Sequence, residues 1–129
     1  MNQAKQNKAF ILDYFNAVSG TNKTPELLAQ YVTDRELIDH IIFFDGAFPK
    51  YEVFADEMTA EGNRIVVRAR FKGRHEREWH GIPASHRPIV FTFIIGYEIQ
   101  NAKIVSHWLV ADQMVLLNQL GFEEVLAAQ

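Results

Sequence analysis

The sequence predicts an α+β fold in which helices come first and an antiparallel sheet follows. In the first third of the chain, apolar residues recur at helical spacing, whereas beyond residue 50 they alternate as they do in strands. No helical segment separates the strand-like segments, which favours antiparallel pairing between neighbours. The chain has 129 residues, and no linker, charge run or repeat interrupts it. We therefore expect a single domain over residues 1–129.

Three helices are predicted before the strands begin. The first carries an apolar stripe through Tyr14 and ends at Gly20. The second begins at Thr24, a good N-cap, with proline at its first helical position. The third is capped by Asp34 or Thr33 and also carries an apolar stripe. That stripe comprises Leu37, Ile41 and Phe44.

Four strands and a short final helix are predicted in the rest of the chain. The strands cover residues 52–59, 64–72, 89–99 and 103–111. The third strand is apolar on both faces, and such a strand is usually covered on both faces. The helices of one chain can cover only one face of the sheet, so we expect a homodimer formed through the other face. The last helix follows Asp112 and ends at Gly121.

Composition excludes several classes of protein. Hydrophobic residues make up 48% of the chain, which is enough for a core and excludes a disordered chain. The chain has no Cys, so disulfides, thiolate nucleophiles and zinc fingers are excluded. Its net charge of −3 argues against DNA or RNA as a partner. The N-terminus is polar and no apolar stretch is long enough to cross a membrane, so we expect a cytoplasmic protein.

One strand carries a row of basic side chains opposite its apolar face. We expect these residues to form a solvated surface paired with nearby Glu rather than a track for nucleic acid, because acidic neighbours dilute their field. They are Arg64, Arg68, Arg70, Lys72 and Arg74.

Three of the five histidines, His75, His80 and His86, cluster in the sequence. The first two are five residues apart and would point to opposite faces of a strand, and no Asp or Glu completes a familiar ligand spacing. We therefore expect neither a metal nor a cofactor. His40 lies at the margin of a helical stripe, either bonded to a backbone carbonyl at the edge of the core or lining a cavity between helix and sheet.

Asp112 is the most informative carboxylate, and two interpretations of it compete. It ends an apolar strand and precedes a helix, which is the position of an N-cap. Alternatively, burial beside apolar groups would make it a general acid and base near neutral pH. Trp108 and Asp112 are four residues apart and share a face of a regular strand, which supports an inward carboxylate buried against the indole.

Several motifs resemble those of SnoaL-like polyketide cyclases. Residues 103–108 (KIVSHW), then Asp112, then residues 116–121 (LLNQLG) resemble the C-terminal signature of that family. Upstream, residues 79–84 (WHGIPA) resemble the loop that follows one of its strands. The resemblance spans roughly residues 8–122, and several motifs in order are more specific than any one of them.

The resemblance implies both a fold and an activity. The family belongs to the nuclear-transport-factor-2-like superfamily, whose members fold a strongly curved antiparallel sheet into a cone packed by N-terminal helices. Its characterised cyclases close a ring by intramolecular aldol condensation without a metal, using an Asp that corresponds to Asp112. The implied function is therefore acid/base catalysis, as in a cyclase, lyase or isomerase, on a hydrophobic carbonyl compound held in the cone.

The expected site combines two catalytic residues and four that contact the substrate. Asp112 would act as base and then as acid, while His40 or Tyr14 would donate to a developing enolate oxygen. The residues expected to bind substrate are Tyr14, Phe71, His80 and Trp108. A different class of function stays open, because the expected wall has few polar groups. It is a non-catalytic module of the same fold that binds a small molecule or serves as a dimeric scaffold.

Overall fold

Three helices, four strands and a final helix follow one another in the computed structural model, which describes residues 2–121. They are α1 (Gln3–Val18), α2 (Pro25–Ala29), α3 (Arg35–Ala47), β1 (Glu52–Glu61), β2 (Arg64–Arg74), β3 (Pro88–Gln100), β4 (Lys103–Ala111) and α4 (Gln113–Gln119). The predicted α+β class, with helices packed on a curved antiparallel sheet, is confirmed.

Side chains that cap amide groups set where the helices begin. The Asn2 side chain accepts a hydrogen bond from the Ala4 amide at the start of α1. The Thr24 side chain accepts from the Leu27 amide at the start of α2, and the Asp34 side chain accepts from the Leu37 amide at the start of α3. The predicted starts of α2 and α3 at these two caps are correct because Thr and Asp satisfy amide groups that the helix itself leaves unpaired.

The sheet is an antiparallel meander in the order β1-β2-β3-β4. Its tight connections use backbone conformations with positive φ. Gly62 (φ 59°) lies between β1 and β2, and Asn101 (φ 51°) and Ala102 (φ 56°) link β3 to β4. Two residues with positive φ form the turn that best matches the twist of antiparallel strands.

Two register shifts add to the curvature of the sheet. One lies in β1 beside Asp56, where the pairing with β2 skips a residue between Ala55 and Glu57. The other lies in β4, where Glu98 pairs with Ser106 and the next residue of β3 pairs with Ile104, leaving Val105 as the extra residue. Such bulges bend a strand and increase its twist, and they reverse which side chains face inward.

The concave face of the sheet holds the core, and the helices pack against it. β2 alternates strictly, so that its even-numbered side chains face outward and its odd-numbered side chains are buried up to Phe71. The inward side chains of β3 include Phe91, Ile95 and Tyr97. The helices contribute Ile11 and Leu37 among other buried residues. This arrangement leaves the convex face of the sheet without a covering layer in the described part of one chain.

The convex face differs from one end of the sheet to the other. On the β1–β2 side, Arg68 pairs with Glu57 at 3.1 Å and Arg70 pairs with Asp56 at 2.8 Å. On the β3–β4 side, the large exposed side chains are apolar, with the small polar Thr92 and Ser106 between them. These large side chains are Val90, Ile94, Trp108 and Val110, with Val66 of β2 beside them. Of the helices within residues 2–121, none is long and apolar enough to span a membrane.

Candidate active site

A cavity of about 190 Å³ lies between the helices and the concave face of the sheet. Its wall is mostly aliphatic and aromatic. The apolar lining residues are Phe15, Val18, Leu37, Ile41, Phe44, Val53, Phe71, Phe91, Phe93, Ile95, Leu109, Ala111 and Leu116. The polar lining residues are Tyr14, His40, Tyr51, Trp79, His80, Tyr97 and Gln113. A concave apolar site with a few convergent polar groups is the usual form of a small-molecule site.

Three tyrosines reach the cavity from three different elements. Tyr14 comes from α1, Tyr51 precedes β1, and Tyr97 comes from the centre of β3. The rings of Tyr14 and Tyr97 meet edge to face with centroids 6.1 Å apart. Each of the three side chains is almost fully buried, yet each borders the cavity. The cavity therefore has three phenol groups on its wall.

The three phenols stay protonated at any working pH. Burial raises the pKa of Tyr14 well above its ordinary value, since the anion would lose its hydration. Burial also raises the pKa of Tyr51 and of Tyr97, and the neighbouring Tyr14 adds to both shifts. A neutral phenol is a hydrogen-bond donor, so these hydroxyls suit a carbonyl or enolate oxygen of a bound molecule.

His40 is the more buried of the two histidines on the wall, since His80 is exposed. Its ring packs against Phe44 with centroids 5.0 Å apart, and the side chain is half-buried. Burial lowers the pKa of His40, the nearby His107 lowers it further, and Glu36 partly opposes both. The imidazole is therefore neutral at neutral pH, with one nitrogen free to accept a proton. Of the two interpretations open for His40, the structure supports the one in which it lines a cavity.

His107 and Asp34 form a hydrogen-bonded pair beside this wall. The Nδ1 atom of His107 lies 2.6 Å from the Asp34 carboxylate, and both side chains are mostly buried. The same carboxylate accepts from the Leu37 amide as the cap of α3. The pair thus connects β4 to the helix that carries His40. Sequence reasoning recognised Asp34 as a cap but missed this pair, because the two residues are 73 positions apart.

His80 lies at the rim of the cavity on a two-residue turn. Trp79 and Ile82 exchange backbone hydrogen bonds across the turn, and His80 has a φ of 48°. The His80 ring lies 4.5 Å from the Trp79 ring and 5.1 Å from the Phe43 ring, between centroids. Non-glycine residues rarely adopt positive φ, and such residues concentrate at functional sites.

The other clustered histidines do not join this one. His75 is fully buried, and its Nδ1 atom accepts from the Ser85 amide at 3.1 Å. His86 is exposed, with Nδ1 3.4 Å from Glu76. Within residues 2–121 no group of three or more potential metal-binding side chains comes together.

Trp108 corrects an expectation of the sequence analysis. The side chain is 52% exposed and lies on the convex face, so it cannot line the cavity. It covers Gly96 on the neighbouring strand, where a Cβ atom would lie only 2.2 Å from the indole. The reason is the extra residue Val105, which reverses the alternation and turns His107, rather than Trp108, inward.

The same reversal applies to Asp112, four residues further on. Its exposed carboxylate accepts a hydrogen bond from the Val115 amide at 3.1 Å and caps α4. The cavity is lined by its two neighbours in sequence, Ala111 and Gln113, and not by Asp112. The expectation of an inward carboxylate buried against Trp108 is therefore wrong, and the capping geometry is the one observed.

The remaining expected residues line the cavity, and the sequence analysis missed four others. Tyr14 and Phe71 are both on the wall, with Phe71 stacked on Phe91 at 4.7 Å between centroids. The missed polar residues are Tyr51, Trp79, Tyr97 and Gln113. Tyr97 could have been found, because it shares the inward face of its strand with Ile95. Tyr51 lies outside any periodic segment and carried no comparable signal.

These features define a class of protein: an α+β cone in which N-terminal helices close a curved antiparallel sheet around a small apolar cavity. The sequence profile of the SnoaL-like polyketide cyclases matches residues 22–120. The chain belongs to this family. Among curated proteins, no relative matches it significantly.

Solved structures with the same fold include three that illustrate its range. AclR from Streptomyces galilaeus, a candidate hydroxylase, has a TM-score of 0.78 at 19% identity and covers 93% of this chain and 98% of its own. TsrD from Streptomyces laurentii has a TM-score of 0.73 at 23% identity, covering 94% and 98%. A SnoaL-like polyketide cyclase from Agrobacterium tumefaciens has a TM-score of 0.73 at 19% identity, covering 89% and 98%. Identities this low show the shared fold alone.

Proposed function

We propose that this protein is an acid/base enzyme that enolises a hydrophobic carbonyl compound, as a cyclase or isomerase of its family would. The observation that carries the proposal is a neutral imidazole, His40, on the same apolar wall as three protonated phenols. A base and a set of donors in one water-poor cavity are the two requirements for abstracting a proton next to a carbonyl group.

The proton transfers balance with these groups alone. His40 takes a proton from the carbon next to the carbonyl, and the electron pair moves onto the carbonyl oxygen. Tyr14, Tyr51 and Tyr97 stabilise that oxygen by donating hydrogen bonds. In a cyclisation, the enolate carbon then attacks a second carbonyl group of the same molecule, and the imidazolium returns its proton to the new alkoxide. In an isomerisation, the proton returns to a different carbon.

This assignment gives His40 the role that the family resemblance places on Asp112. His40 borders the cavity, whereas the Asp112 carboxylate is exposed and bonded to the Val115 amide. A carboxylate held by a helix amide is poorly placed to remove a proton from a substrate inside the cone. We therefore propose that Asp112 acts as a helix cap and that His40 is the base.

The test is deuterium exchange into the CH₂ group next to the carbonyl of α-tetralone, followed by NMR in D₂O. We expect His40→Gln to lower the enzyme-dependent exchange rate by about a hundredfold or more, since general-base catalysis contributes about that much. His86→Gln, which changes an exposed histidine outside the cavity, is the matched control and should exchange like the wild type. Melting temperatures of both variants check that the fold is intact.

The pH profile adds a second readout from the same assay. Because burial lowers the pKa of His40, the exchange rate should fall only as pH drops through a value below about 6.5, the ordinary pKa of histidine. At and above neutral pH the rate should be level. Wild-type exchange no faster than in buffer, or full exchange in His40→Gln, would overturn the proposal.

A non-catalytic binding module is the second candidate function, and the apolar character of the cavity wall favours it. Thirteen of the twenty lining side chains are hydrocarbon, so a ligand could be held without being transformed. In that case α-tetralone would bind in the cavity, but its CH₂ group would exchange deuterium no faster than in buffer. The His40→Gln variant would give the same exchange rate as the wild type.

We also propose that a second copy of the chain covers the convex face of the sheet. Ile94, Trp108 and Val110 are exposed there beside Val66, and apolar side chains of this size side by side are characteristic of interfaces. The ion pair Arg68–Glu57 borders them, which gives the patch a polar rim. A two-fold axis would place this patch on itself and bury the apolar side chains of both copies.

A further inference from the structure

The size of the cavity bears on which carbonyl compound it can take. Sites for drug-sized ligands enclose about 300–1,000 Å³. This cavity has about 190 Å³, so its occupant is smaller. The fully buried Phe48 lies behind the wall and packs against both Phe44 and Phe71, which limits expansion in that direction. A compound of one or two rings fits the space, whereas a skeleton of four fused rings exceeds it.

The shape of one wall favours a flat ring. Tyr51, Phe71 and Phe91 form a stacked row across the start of β1, the end of β2 and the start of β3. Successive centroids are 4.7 Å apart, with angles of 28° and 18° between ring planes. All three rings border the cavity, so together they offer a row of ring edges against which the face of a planar ring can pack in an edge-to-face arrangement.

The charges around the cavity favour an uncharged compound. Among the residues that the structure describes, none of those lining the cavity is Lys, Arg, Asp or Glu. The nearest buried cation in that region, Lys23, already donates to the carbonyl oxygens of Thr21 and Tyr51 and lies 3.4 Å from Asp45. A carboxylate or phosphate in the cavity would therefore be a buried charge with hydroxyl donors but no cationic side chain beside it, which is costly.

We propose that the cavity takes an uncharged, planar ketone of one or two rings, whose oxygen accepts hydrogen bonds from the tyrosine hydroxyls, and that it rejects aryl carboxylates and four-ring ketones. This inference deepens the function proposed above and rests on it for the choice of site. Its test measures binding, so its outcome is separate from that of the exchange assay.

Isothermal titration calorimetry on the full chain at neutral pH compares four probes. They are α-tetralone, tetralin, α-naphthoate and benzanthrone. α-Tetralone should bind at least tenfold more tightly than α-naphthoate, which has a similar two-ring skeleton but carries a charge. Benzanthrone, with four fused rings and one ketone, should show no binding that α-tetralone displaces.

Removal of one hydroxyl tests the contact with the ketone oxygen. Tyr97→Phe should lower the affinity for α-tetralone about threefold to tenfold, which is the effect of losing one hydrogen bond. The affinity for tetralin should be unchanged, because tetralin has no oxygen. Tyr31→Phe is the matched control: Tyr31 packs against Tyr14 but does not line the cavity, so binding of both probes should be unchanged.

Three results would overturn the inference. They are no binding of α-tetralone up to its solubility limit, binding of α-naphthoate or benzanthrone that is as tight as that of α-tetralone, and an equal effect of Tyr97→Phe on the binding of α-tetralone and of tetralin. The two proposals fail separately. Selective binding of α-tetralone without exchange dependent on His40 would refute the enzymatic function only. Exchange dependent on His40, together with a preference for α-naphthoate, would refute the inferred substrate class only.

Discussion

His75 is the one histidine in the described chain that is completely buried, and it cannot be charged without cost. Its Nδ1 atom accepts from the Ser85 amide, so the neutral ring carries its proton on Nε2. The ring packs on Phe48 with centroids 5.4 Å apart. Burial lowers the pKa of His75, so the folded protein resists protonation of this ring more than the unfolded chain does.

The sign of the resulting pH dependence follows from linkage. Between the lowered pKa of folded His75 and about 6.5, its value in the unfolded chain, the unfolded state binds more protons. The stability due to the neutral ring is therefore complete above that window and is lost as pH falls through it. His75→Asn keeps an acceptor for the Ser85 amide but does not titrate, so its deficit in unfolding free energy should shrink as pH falls below about 6.5.

Urea unfolding of the wild type and His75→Asn at a series of pH values measures this deficit. His80→Asn, which replaces an exposed histidine on the same segment, supplies the control for titration at the surface. A deficit that stays constant across the window would show that protonation of His75 does not contribute to the loss of stability in acid.

Among the elements, α4 is the helix whose N-cap, Asp112, bears most directly on which residue is the base. Asp112 accepts from the Val115 amide, and removing such a cap costs about 1 kcal/mol. Asp112→Ala should therefore lower the unfolding free energy by about that amount, whereas Asp112→Asn, which can still accept the bond, should lose much less. Both variants should exchange α-tetralone at the wild-type rate. A large loss of exchange in Asp112→Asn with unchanged stability would instead return the role of base to Asp112.

The sequence allowed the elements to be predicted better than the faces they present. The caps Thr24 and Asp34 and the alternation in β2 are local signals, so the helices and strands were predicted nearly in place. The bulge at Val105 depends on how β4 pairs with β3, and nothing within β4 reveals it. That single residue decides that Trp108 and Asp112 face away from the cavity.

Some of the residues that line the cavity could be predicted from the sequence. Tyr14, His40 and Phe71 followed from stripes and alternation on single elements, because a periodic pattern identifies the buried face. That Tyr51 lines the same cavity could not be predicted, because Tyr51 lies outside any periodic segment and the other three residues belong to three separate elements. Local patterns predict which face is buried but not which polar groups meet within it.

At the scale of the whole molecule, the two faces of the sheet differ in what they present. The concave face holds the cavity, and the convex face exposes apolar side chains, of which Val110 is 62% exposed and Trp108 52% exposed. The bulge in β4 links the two, because it turns Trp108 outward and so adds the largest apolar side chain to the convex face. Soluble monomers rarely expose large apolar patches of this kind. We therefore propose that a second copy of the chain covers the patch, since a two-fold axis would pack it against itself.

The dimer proposal predicts a specific response to charge on this face. Wild-type protein should sediment as a dimer at micromolar concentration, and Val110→Lys should weaken the dimer at least about a hundredfold, because each copy would bury an unpaired ammonium group at the interface. The fold should be unaffected, since Val110 is exposed in the single chain. Leu12→Lys is the matched control: Leu12 is 43% exposed on α1, away from the sheet, so this variant should remain dimeric. Wild-type protein that sediments as a monomer, or a Val110→Lys variant that stays dimeric, would show that the convex face is not the interface.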